Sequence, residues 1–124
     1  MIDLSPWCPV RALAVGALIL AAAGPAAAHS LLLESSPGAD ALVQAPPASV
    51  TLRFNNRIEK KLSSVRLRDA AGRVVVLPVD ADGPADRLNA AATPIAPGKY
   101  RVEWQVLSTD GHVASGSFSF RLPP

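Results

Sequence analysis

Residues 98–108, GKYRVEWQVLS, alternate with a period of two. Tyr100, Val102, Trp104 and Val106 fall on one side, and Arg101, Glu103 and Gln105 on the other. That pattern predicts a strand with one buried face. GSFSFRL (116–122) repeats it, with Phe118, Phe120 and Leu122 inward against Ser117, Ser119 and Arg121. SVTLRF (49–54) sets Val50, Leu52 and Phe54 against Ser49, Thr51 and Arg53. SVRLRD and RVVVLPV flank AAGR, a hairpin signal in which Gly72 takes the positive-φ position. SLLLE (30–34) predicts a first strand ended by SSPG, and RLNAA (87–91) a weaker one after the polar turn DADGPAD. No helical period runs beyond a turn or two, and no internal repeat is present. About seven short strands separated by Pro- and Gly-bearing turns predict an all-β fold, a seven-stranded antiparallel β-sandwich of Greek-key type.

The first 28 residues follow a different rule. Arg11 precedes an apolar run, Ala12–Gly24, and PAAAHS follows it. A basic residue, a short hydrophobic stretch and small residues at Ala26 and Ala28 make a secretory signal peptide over 1–28, cut between Ala28 and His29. The run is shorter than the about 20 apolar residues that span a bilayer. The expected mature domain is therefore 29–124, exported and with no stable membrane insertion.

That division changes what composition implies. The only cysteine, Cys8, and the only methionine, Met1, leave with the signal, so residues 29–124 contain neither a disulfide nor a soft metal donor. One small domain must rest on its packed core. Net charge is +2 and mixed in sign, which argues against nucleic acid as a partner.

Cleavage would also make His29 the first residue, with an α-amine beside its imidazole. Amine and ring nitrogen can close a chelate on one ion, and at neutral pH few protons need be displaced. Asp110 and His112 stand two apart in TDGH. If that stretch is extended, both side chains project to one face. Asp-Gly is equally a turn signal, which alone would make His112 a solvated loop residue. The two histidines of residues 29–124 are thus its first residue and a neighbour of Asp110. In a sandwich the first strand can lie beside the last ones. Three nitrogens and one carboxylate oxygen suit tetragonal Cu(II), with zinc a weaker occupant.

These residues carry a resemblance. HSLLLESSPGADALVQAPPASVTLRFNN and PGKYRVEWQVLSTDGHVASGSFSF resemble the opening and closing segments of the CopC family of periplasmic copper-binding, copper-resistance proteins. The resemblance implies a cupredoxin-like, immunoglobulin-like β-sandwich that binds Cu(II) through the N-terminal histidine and an Asp-x-His pair. Here those are His29, Asp110 and His112. It also implies a carrier or buffer in copper resistance or homeostasis, and a CopD-type inner-membrane copper transporter as candidate partner. The chain departs from many members in lacking a methionine-rich Cu(I) loop. Val113 stands where relatives often have proline, and Asn56 near where they have an acidic residue.

The expected role is binding, not catalysis. An alternative is a copper-dependent oxidative enzyme, because an N-terminal histidine chelate plus a second histidine resembles the copper brace of polysaccharide monooxygenases. A third is an adhesive sandwich with incidental histidines. Seven basic residues between Arg53 and Arg73 could dock an acidic partner or anionic lipid, but scattered charges read first as a solvated face. Asp80, Asp82 and Asp86 lack the spacing of a calcium loop and read as a polar turn.

Overall fold

The computed structural model describes residues 30–124. The expected signal peptide, its cut after Ala28 and His29 all lie outside the described residues. Two sheets face each other. One has three strands in the order β1 (Leu32–Ser36), β3 (Ser49–Phe54), β6 (Arg87–Ala91). The other has five, in the order β2 (Ala41–Leu42), β8 (Val113–Leu122), β7 (Gly98–Leu107), β4 (Ser64–Asp69), β5 (Val74–Leu77). The chain crosses between sheets from β1 to β2, β2 to β3, β3 to β4, β5 to β6 and β6 to β7, which interlocks the layers. A 3-10 turn, Lys60–Leu62, precedes β4.

The alternating segments fold as the pattern predicts. Along β7 every second residue, Tyr100, Val102, Trp104 and Val106, is buried. Val50, Leu52 and Phe54 of β3 are fully buried against them from the opposite sheet. Phe54 and Trp104 meet edge-on, with ring centroids 5.1 Å apart. Tyr100 stacks on Phe120 at 5.5 Å, and its hydroxyl donates to the Ala96 carbonyl four residues upstream, 2.6 Å away. Such a bond pins the start of a sandwich strand to its incoming loop. The β4–β5 hairpin turns at Gly72 (φ 84°), and Asp69 Oδ1 accepts the backbone N–H groups of Ala71 and Arg73. Among the described residues, every strand and every buried hydrophobic side chain lies between Leu32 and Leu122.

Three expectations change, and the weaker strand candidate is borne out. There are eight strands among the described residues, not seven, and β2 runs parallel to β8. A two-residue strand has too little pattern to be seen in sequence. β1 begins at Leu32 and extends through both serines, with a register shift between Leu32 and Glu34 that leaves Leu31 and Leu33 exposed. β8 starts at Val113, three residues before the alternating aromatic stretch, because it pairs with β7 along that whole length. RLNAA is a full strand whose Leu88 and Ala90 are completely buried.

Candidate metal centre

β7 and β8 are joined by residues 108–112. The connection is a turn, not the extended stretch considered above: Gly111 has φ 91°, and its N–H donates to the Ser108 carbonyl at 2.9 Å. The Ser108 N–H donates to the His112 carbonyl at 2.9 Å and closes the loop. Asp110 and His112 still meet, by a different route. Asp110 folds back so that its Oδ1 accepts the His112 backbone N–H at 3.2 Å and lies 3.1 Å from His112 Nδ1. The Ser108 hydroxyl donates to the same oxygen.

Three donors on one carboxylate oxygen favour its charged form. The Ser108 hydroxyl, followed by His112, holds the Asp110 carboxyl below the usual carboxylate range. Asp110 thus offers an anionic oxygen at any pH at which imidazole could ligate a metal. Both side chains stay near half exposed, 44% for Asp110 and 52% for His112, so an ion can reach them from solvent. Two metal–ligand bonds of about 2 Å at a right angle set their donor atoms about 2.8 Å apart. The Asp110–His112 gap lies close to that span, so with the ring proton on Nε2, and not donated to Asp110, Nδ1 and Oδ1 can take two adjacent corners of one site.

Ser108 is a contributor that the motif reading missed. It is 2% exposed, and it continues the inward register of Tyr100, Val102, Trp104 and Val106. A hydroxyl at the next core-facing position is the sequence signal for it. The segment after β3 supports the turn from the side. Ile58 bridges Ser108, Glu59 N–H donates to the Leu107 carbonyl at 2.8 Å, and Thr109 N–H donates to the Arg57 carbonyl at 3.0 Å.

The same segment grips the start of the described chain. Asn55 Oδ1 accepts the Leu31 N–H at 2.7 Å, and Asn55 N–H donates to the Leu31 carbonyl at 3.1 Å. Ser30, the residue after His29, is buried. Residues 55–59 therefore fasten both the first described residues and the Asp110–His112 turn. Nothing in the local sequence marked Asn55 for this role. Among the described residues no group of three or more His, Cys, Asp or Glu lies together, so this turn supplies a two-donor pair. Asp80, Asp82 and Asp86 form no such group either.

Residues 32–123 match the sequence profile of the CopC domain. The chain belongs to the CopC family. It is similar to copper resistance protein C of Xanthomonas campestris pv. juglandis, with 34% identity over 109 residues that span 82% of this chain and 85% of that protein. The crystal structure of CopC from Methylosinus trichosporium OB3b matches at a TM-score of 0.74 and 36% identity, over 77% of this chain and 95% of that one. PcoC, a methionine-rich copper resistance protein from Escherichia coli, matches at 0.65 and 25%, over 77% and 99%. This CopC chain differs from a methionine-rich protein in having Met1 alone.

Proposed function

We propose that this chain is an exported, periplasmic carrier or buffer that holds one Cu(II), and is not an enzyme. The ligands are the α-amine and imidazole of His29, the Asp110 carboxylate and the His112 imidazole. The observation that carries the proposal is the Asp110–His112 pair: two donor atoms 3.1 Å apart on an exposed turn, one of them a carboxylate held ionised. Family membership and the copper resistance named for its relatives support copper as the cargo. Anionic oxygen and imidazole favour Cu(II), and residues 29–124 have no thiolate or thioether to favour Cu(I). A donor set that prefers one oxidation state suits carriage better than a redox cycle. Export follows from the apolar run and small residues ahead of His29. A CopD-type inner-membrane transporter is the proposed recipient.

The test is competitive Cu(II) titration of residues 29–124 alongside a chain with one residue added before His29. The addition turns the amine into an amide and breaks the chelate while leaving both imidazoles. The expected loss exceeds the about 10–100-fold that removal of an outer-shell partner costs. His112→Ala should weaken binding more than Asp110→Ala, since imidazole is the better Cu(II) donor. The paramagnetic resonance spectrum of the unextended chain should be tetragonal and nitrogen-rich. An extended chain with equal affinity and the same spectrum would overturn the N-terminal ligand. Turnover of polysaccharide with peroxide would overturn the carrier in favour of an oxidative enzyme.

A further inference from the structure

The outer face of the five-stranded sheet collects charge that the sequence scatters. Cross-strand partners share a face, and the register places Arg68 beside Arg101, Arg66 beside Glu103, and Lys99 beside Arg121. Arg66, Arg68, Lys99, Arg101 and Arg121 all point outward. Glu103 stands among them, bound to Arg68 at 2.7 Å, and Asp40 lies at the margin beside Lys99 and Arg121. Five cations against two carboxylates give this face +3. Residues 30–124 hold 11 cations and nine carboxylates in all, so everything else sums to −1. The run from Arg53 to Arg73 is not itself the patch. Arg53 is paired with Glu34 on the other sheet, and Lys60 is tied to the Asp82 and Gly83 carbonyls.

The geometry points to this face as a docking surface for an anionic phospholipid bilayer. Its cations are spread over three adjacent strands about 4.8 Å apart, so they form a layer and do not converge on one pocket. A layer matches a plane of phosphates better than a single acidic side chain. Ser117 and Ser119, opposite Glu103 and Arg101, lie among them as neutral donors, and Arg101 already donates to the Ser117 hydroxyl at 2.9 Å. Aliphatic residues border the layer on the same face at both edges: Val76, opposite Arg66, is 65% exposed, and Leu42, opposite Arg121, is 57% exposed. Cations over headgroups and short aliphatics at the rim are the two attractions a peripheral surface uses. Asp110 and His112 sit beyond the strand ends, outside the contact, so the inference stands apart from the copper reading.

The test is co-sedimentation of residues 29–124 with vesicles of phosphatidylglycerol and phosphatidylcholine, compared with phosphatidylcholine alone. Binding to the anionic vesicles, lost in about 0.5 M salt and absent on neutral ones, is expected. The double variant Arg66→Gln with Arg101→Gln should lower partitioning about 30-fold, from about 1 kcal/mol per cation near the surface. Lys61→Gln with Arg87→Gln removes the same charge elsewhere and should change it less than about threefold. Circular dichroism checks that both doubles fold. Equal loss in the two doubles would reduce the effect to net charge and overturn the inference. Failure to bind anionic vesicles at low salt would overturn it too, and retention on polyglutamate beads alone would reassign the face to an acidic protein.

Discussion

At Asp110 one carboxylate oxygen takes the Ser108 hydroxyl, the His112 N–H and the approach of His112 Nδ1. These contacts lower the folded carboxyl pKa below its unfolded value. The stabilisation is then fully present above the ordinary carboxylate range, and it is lost as pH falls through the folded value. Asp110→Asn should therefore make the metal-free domain less stable than wild type at pH 7, with the gap closing as pH falls below the ordinary carboxylate range. Urea denaturation across pH reads this directly, and a gap constant with pH would contradict the assignment. Sequence showed Asp110 and His112 as a pair, because short spacing limits how far apart their side chains can lie. It left open whether the pair met along a strand or across a turn. It was silent on Asn55, whose hold on Leu31 spans 24 residues and leaves no local pattern.

At the level of elements, the β7–β8 hairpin depends on a glycine opposite an indole. Gly116 pairs with Trp104, and a Cβ on Gly116 would lie 2.4 Å from Trp104 Cζ2 and 2.8 Å from Cε2. Real side chains do not approach so closely, so the ring or the strand must shift. Gly116→Ala should cost about 1–3 kcal/mol by overpacking. Trp104 is the sole tryptophan of residues 29–124, which makes its emission the readout. Wild type should emit as a buried indole, and Gly116→Ala should shift red and melt earlier. An unchanged melt and spectrum would mean the ring has room that the structure denies. The alternation that built β7 was legible because a strand facing core and water repeats every two residues. Gly116 was not legible as a packing partner, since its importance comes from a ring on the neighbouring strand.

For the whole molecule, Phe54 of one sheet meets Trp104 of the other edge-on across the shared core. Phe54 is fully buried, so Phe54→Ala should cost about 3–5 kcal/mol, a large share of the about 5–15 kcal/mol that holds such a domain. Calorimetry should show the melt fall by more than about 10 °C. A smaller drop would mean that the sheets are held elsewhere. The sequence by itself determined the all-β class, the inward faces of β3, β7 and the second half of β8, the Gly72 hairpin and the Asp110–His112 pair. Each of these follows from interactions within about ten residues or from a period-two pattern. Only the tertiary structure decided the eighth strand and its parallel pairing, the grip of residues 55–59 on the first described residues and on the Asp110–His112 turn, and the basic face. Arg66 and Arg101 lie 35 positions apart in sequence yet share that face through Glu103, beside Arg101 and opposite Arg66, because β4 and β7 are neighbours in the sheet. Strand order is set by which apolar faces can close over one core, and no single segment carries that information.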